Sequence, residues 1–310
     1  MSQPLLVTGT IGIDTILTPG GRADGVLGGS VSFAAVAALL FADRVDAVSI
    51  IGEDFPAHYE AALEAKGLCM KGVERKKGPS FAWTGEYFDN MNKRRTVCAN
   101  DAVMLEWNVH VPEPLRNHPV LVCCCMVPAQ QLKCMEQCPD AALVRQPELL
   151  DAVISRSHIT MMNEDEAKEY AQAFTVMEAG EFLLSKGAAY AVVKQGEYGA
   201  TLLGRDAGGN LRIFRCPAYP LKTLVDPTGA GDTFLGALAG YLSTLPPGLP
   251  SFEEVKRGIV YGTVAASFTC ESFSADALLS MTKETFRRRL EEYAEMCRLP
   301  DIRLSSASAC

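Results

Sequence analysis

The chain has 310 residues, 48% of them hydrophobic and 21% charged, with a formal net charge of −8 and a pI near 5.2. That hydrophobic share builds one large core or two modest ones, so the chain is globular rather than disordered. The acidic balance argues against a general nucleic-acid binder, which needs a basic field to neutralise phosphates, and favours a small-molecule partner.

The opening stretch MSQPLLVTGTIGIDTI has no basic leader region, and no later run reaches the roughly 18 apolar residues of a membrane span, so a cytoplasmic protein is expected, with no membrane partner. The eleven cysteines are then expected as free thiols. The cluster of Cys123 to Cys125 with Cys134 and Cys138 contains no C-x-x-C pair, the usual zinc spacing, and reads as small buried hydrophobes. His58, His110, His118 and His158 are scattered without motif spacing.

In chain order, PLLVTGT reads as a strand, SVSFAAVAALLFA as a helix, VDAVSIIG as a strand, and PAHYEAALEAKG as a helix stopped by Gly67. The rhythm returns with SHITMMN before EDEAKEYAQAF and MEAGEFLLSKG before AYAVVKQG, which predicts a doubly wound, mostly parallel sheet flanked by helices. Two intervals break it. In IDTILTPGGRADGVLGG, glycines and Pro19 prevent a helix, and between about Lys71 and His110 the runs PSFAWTGEYF and KRRTVCAN flank the polar turn DNMNK as a hairpin. Together these segments, about 12–28 and 72–108, predict a small β-lid on a single domain spanning 1–310. LPPGLP is a loop between two helices, and SSASAC a frayed tail.

The stretch DPTGAGDTFLGALAGYL, Asp226 to Leu242, concentrates the chemistry. Glycines let backbone N–H groups approach a ligand, and the first turn of a helix leaves N–H donors unpaired at the positive end of its dipole, so the combination is an anion site. Asp232 either complements that dipole or takes a proton from a hydroxyl attacking a phosphoryl group. No Gly-Lys-Ser/Thr follows, so the string is not a Walker A loop, nor does it match G-x-G-x-x-G after a first strand.

This stretch resembles the C-terminal signature of the PfkB, or ribokinase-like, family of sugar and nucleoside kinases. Further segments resemble the family in the same order: TGTIGIDTI, LGGSVSFAAVAALL, IGEDFPAHYEAALEAKGL, NEDE and VVKQGEYGATLL. The resemblance implies a ribokinase-like fold and an ATP-dependent carbohydrate kinase that phosphorylates a hydroxyl of a sugar or sugar-like compound with Mg2+. Asp232 would be the base, and Gly229, Ala230 and Gly231 the anion hole. Asn163 and Glu166 would organise the metal; Lys194, Gly196, Thr228, Gly229 and Gly231 would face the nucleotide; Asp14, Gly28 and Gly29, with Asp232, would face the acceptor. VKRGIVYGTVAASFTCESFS is similar to the adenine-side wall, or is core packing alone. Some relatives need a monovalent cation such as K+, with carbonyls near Asp226 and Thr228 as candidate ligands, and the family often forms dimers through the lid.

Each assignment has a plainer counterpart. Asn163 and Glu166 also form a capping-box start, Lys194 at a strand end is often solvated, Gly196 and Gly199 serve a turn, and Asp14 is a turn former. Three departures bear on activity. Phe33 stands where the ribokinase branch has an asparagine that touches the sugar, and reads as helix core or as an aromatic wall. CPDAALVRQPELLDAVISRS, between Cys138 and His158, is too short for the usual strand and helix and lacks an Asp-x-Asn-like element, so either the sheet loses a strand or AALV is a truncated one. Arg94 and Arg95 on the lid either pair with an anion or are solvated. The alternatives to a sugar kinase are therefore a nucleoside kinase and a catalytically impaired binding protein of the same fold.

Overall fold

Apolar runs with strand character and small-residue helices alternate along the chain, and the computed structural model, which describes residues 2–139, 142–145 and 151–298, shows what they build. The strands are β1 (Leu5–Thr8), β2 (Gly12–Thr18), β3 (Gly21–Gly28), β4 (Val45–Gly52), β5 (Leu68–Lys76), β6 (Phe81–Tyr87) and β7 (Arg94–Asn100). They continue as β8 (Val120–Cys123), β9 (Ala142–Arg145), β10 (Ile159–Asn163), β11 (Tyr190–Lys194), β12 (Ala200–Arg205) and β13 (Leu211–Cys216). The helices are α1 (Ser30–Ala38), α2 (Ala57–Ala65), α3 (Pro128–Gln137), α4 (Asp151–Ile154) and α5 (Glu164–Ala171). After them come α6 (Val176–Ser185), α7 (Ala230–Leu242), α8 (Phe252–Thr269), α9 (Asp276–Ser280) and α10 (Lys283–Met296).

The main sheet has the order β13-β12-β11-β10-β9-β8-β1-β4-β5. Its members from β11 through β5 run parallel, and β12 and β13 close one edge as antiparallel strands. Every residue of β4 is buried, as a strand covered on both faces requires. The charged member of that run, Asp46, is satisfied by His118 Nε2 at 2.8 Å and by Arg44 Nε at 2.7 Å. Burial opposes its charge, but the bonds from His118, Arg44 and Cys69 hold the carboxyl well below the usual range.

One face of the sheet is covered by α1, α2, α7 and α8, the other by α3, α5 and α6. The small residues of α7 serve backbone contact: a methyl at Gly236 would strike the carbonyl of Ala34, and one at Gly240 would lie 2.5 Å from Ala38 O. The two helices therefore meet backbone to backbone.

The two rhythm-breaking intervals join as a second sheet of order β3-β2-β6-β7. Residues 72–76 continue β5 in the main sheet, and Val103 and Trp107 are buried beneath it, so the second stretch of lid is confined to β6 and β7. The segment between Cys138 and His158 keeps its strand. β9 is four residues long and pairs with β8 along its length but with β10 at only Val144 and Arg145. α4 is a single turn; residues 146–150, like the SSASAC tail, lie outside the described residues.

Candidate active site

β1, β8, β10 and β11 deliver their C-terminal ends to one edge of the sheet, and the winding reverses between β1 and β8. Open α/β sheets hold ligands in such a crevice.

The turn before α7 is set by its first aspartate. Asp226 is buried, its Oδ1 accepts from Thr228 N at 2.8 Å, and its Oδ2 accepts from Ser274 N at 3.2 Å. Gly229 then takes a left-handed φ of 77°, which a side chain resists, and any methyl there would enter the ring of Phe33. Phe33 is itself buried, so it is a core brace beneath the turn rather than a wall of the cleft. The sequence reading grouped Ala230 with the two glycines, but its N–H is taken by Pro227 O at 3.1 Å. The N–H groups of Gly229 and Gly231 have no carbonyl partner among the described residues and are the donors left to face a ligand.

Asp232 stands in the first turn of α7, its Oδ1 buried and without a hydrogen-bond partner. Burial raises its pKa to about 6, against the pull of Lys194 and Arg94. Lys194, the last residue of β11, is half-buried rather than solvated, and its Nζ lies 2.6 Å from where a Gly231 methyl would stand. Burial lowers its pKa, while Asp232 and Glu166 oppose that shift. The Lys194 ammonium, the N–H groups of Gly229 and Gly231 and an Asp232 Oδ1 with no partner among the described residues thus meet at one helix end, a set able to hold an anion beside a base.

Asp14, on β2, is buried with no partner for Oδ1 among the described residues, and the backbone N–H groups of Gly29 and Trp83 favour its charged form. Burial, then repulsion from Asp226, raises its pKa to about 7. The glycine pair makes this approach feasible. A methyl at Gly28 would overlap the Asp14 carboxyl, and Gly29, at a φ of 83°, has Thr10 O only 2.6 Å from its absent methyl.

Asn163 ends β10 beside Lys194 in register. Its Oδ1 accepts from Glu166 N at 2.8 Å, while Glu166 Oε2 accepts from Asn163 N at 3.0 Å, so the capping box is formed. Glu166 Oε1 is left over, and the carboxylate is felt at both Lys194 and Asp232. Gly196 opens a short turn after β11 with a φ of 55°.

Two contacts across this cleft were not evident from the sequence. Thr228 Oγ1 donates to Tyr87 Oη of the lid at 3.0 Å, and Asn92 Nδ2, at the tip of the hairpin, donates to Glu197 Oε1 at 2.7 Å. Neither pair has a local motif. Of the cysteine cluster, Cys123, Cys124, Cys134 and Cys138 are buried and Cys125 is exposed.

Comparisons with known proteins bear on this arrangement. Residues 22–281 match the pfkB family of carbohydrate kinases. The chain is 29% identical over 269 residues to a cytidine kinase of Thermococcus kodakarensis, covering 82% of this chain and 93% of that one. It shares its fold with a ribokinase of Thermotoga maritima, with a TM-score of 0.74, 21% identity and coverage of 94% and 99%. A putative ribokinase II of E. coli, solved with ATP and Mg2+, superposes with a TM-score of 0.71 at 18% identity and coverage of 93% and 99%.

Proposed function

The chain belongs to the pfkB family of carbohydrate kinases, and on that premise we propose that it transfers a phosphoryl group from ATP to a hydroxyl of a sugar or sugar-like small molecule. The observation that carries the proposal is the unpartnered, buried Asp232 Oδ1 beside the free N–H groups of Gly229 and Gly231.

Asp232 takes the hydroxyl proton as the acceptor oxygen attacks phosphorus, and the bond from phosphorus to the bridging oxygen of ATP breaks, leaving ADP. The glycine N–H groups and Lys194 stabilise charge on the transferring group, since such catalysis rests on positioning and electrostatics. Asp14, held between Gly28 and Gly29, orients the acceptor. Thr228 and Gly196 border the nucleotide.

Mg2+ favours water and one or two carboxylate oxygens alongside substrate phosphates, and the residues present fit it. Glu166 Oε1 remains outside the capping box, so Glu166, with Asn163 fixing its orientation, would hold the metal's waters. When bound, the ion supplies neutralisation of the phosphate charge. Backbone carbonyls near Asp226 and Thr228 are the candidate ligands for a weakly hydrated cation such as K+. Turnover in K+ compared with a large organic cation tests that point.

A second reading, a nucleoside kinase, is favoured by the similarity to a cytidine kinase. It is favoured too by Phe33, which supplies no polar partner for a sugar hydroxyl at its place in α1. An impaired binding protein fits less well, because the groups at the head of α7 are all in place. Every residue of β7 is exposed and its outer edge is unpaired, which supports dimerisation through the lid. A cytoplasmic setting belongs with the same proposal.

The test is ADP release from Mg-ATP across sugars, sugar acids, polyols and nucleosides, with Asp232→Asn in parallel. Turnover with one acceptor class, lost in the variant, supports the reading and identifies the class. Nucleotide binding without turnover on any acceptor would favour the impaired protein instead.

A further inference from the structure

Two adjacent arginines begin β7, and the hairpin separates them. Neighbours along a strand face opposite ways, and directly paired residues share a face. Arg95 pairs in register with Glu86 and forms a salt bridge with it. Arg94 pairs in register with Tyr87, the residue whose hydroxyl meets Thr228 in the turn before α7. Arg94 therefore leaves the hairpin on the face turned to the cleft.

That face is shaped to hold it there. Trp83 lies on the same side, folded over Gly85, where a methyl would overlap the indole. The guanidinium rests 5.6 Å from the indole centroid, a cation–π placement that leaves its N–H fork unspent. No carboxylate pairs with Arg94 among the described residues. The hairpin is pinned beyond it by Asn92 on Glu197 and before it by Tyr87 on Thr228. The charge of Arg94 is felt at Asp232, Lys194 and Tyr87 alike.

We propose that Arg94 is an oxyanion anchor carried by the lid, whose guanidinium binds phosphoryl or carboxylate oxygens held over the first turn of α7. The proposal rests on the kinase reading and adds a residue to it. The anion has two possible sources, the terminal phosphoryl group of the nucleotide or an acid group on the acceptor. Arg94 makes and breaks no covalent bond; it supplies paired N–H donors to charge already present.

The experiment is titration calorimetry of Mg-ADP and a non-hydrolysable Mg-ATP analogue into the whole protein, its Arg94→Gln and Arg94→Lys variants, and Arg95→Gln as control. Acceptor kinetics follow on the same proteins. If the anion is the terminal phosphoryl, Arg94→Gln loses about tenfold of the preference for the triphosphate and about 10²-fold in kcat. Arg94→Lys recovers part of the loss, and Arg95→Gln matches the wild type. If the anion is on the acceptor, the nucleotide preference survives, but KM for acidic acceptors rises at least about tenfold while neutral ones are unaffected. An Arg94→Gln protein that melts like the wild type and changes neither ratio overturns the proposal. A wild-type protein that binds neither nucleotide overturns the kinase reading itself, and this inference with it.

Discussion

Tyr87 Oη accepts a hydrogen bond from Thr228 Oγ1 at 3.0 Å, so the lid is joined directly to the turn that leads into α7 and Asp232. Tyr87 is buried, and burial pushes its phenol up to about 12, so it stays neutral and able to accept this bond at working pH. Tyr87→Phe removes the acceptor and leaves the ring. The expected result is a loss of about three- to tenfold in kcat/KM, as for one neutral hydrogen bond, with little change in melting temperature. In a double-mutant cycle with Thr228→Val the two losses will not add, because both variants cut the same bond.

Asp232→Asn is expected to lower kcat by about 10²–10⁴, the usual contribution of a general base, with nucleotide binding retained. The wild-type rate should depend on pH with a known sign. The base must be ionised, and the pKa of Asp232 is raised to about 6. Activity therefore falls as pH drops through about 6 and levels off above about 7. A rate unchanged down to pH 5 would remove Asp232 from the role of base.

Asp14 gives a stability prediction. Its folded-state pKa is raised to about 7, while in the unfolded chain it sits near about 3.9. Between those values the folded protein holds a proton that the unfolded chain does not, so this group's contribution to stability declines as pH rises from about 4 to about 7. Asp14→Asn removes the buried charge. It should raise the melting temperature at pH 8 by a few degrees relative to the wild type and make no difference near pH 4. Thermal melts at the two pH values check this, and a destabilised variant at pH 8 would contradict it.

The close contact between α1 and α7 predicts that Gly236→Ala costs about 1–3 kcal/mol, since the added methyl meets the Ala34 carbonyl rather than a side chain that can turn aside. Gly20→Ala, where the nearest atom is 3.7 Å away on an exposed turn, should be close to neutral. Urea midpoints of the two variants decide it.

Much of this architecture is legible in the amino-acid sequence. The alternation from PLLVTGT to AYAVVKQG carries the parallel sheet, because fully buried strands and helices each leave a distinct period. DPTGAGD carries the tight turn before α7, because glycine favours the left-handed φ of 77° found at Gly229. What was hidden depends on long-range register. Lys194 reads as a solvated strand end until β11 is set beside β10, which brings its ammonium over Gly231. Asn92 and Glu197 lie 105 residues apart, and no local spacing relates them. The shortened β9 is ambiguous in the sequence because its four residues show no period of their own, and only the parallel register with β8 identifies them as a strand.

The backbone contact between α1 and α7 also carries a consequence for how this scaffold diversifies. α1 starts at the glycine pair that holds Asp14 and carries the Phe33 ring beneath Gly229, while α7 presents Asp232. The separation between the Gly28–Gly29 turn and the head of α7 is thus set by one rigid helix pair. Substitutions confined to residues 81–100 are then expected to alter what the lid offers the cleft without moving the two helices that frame it.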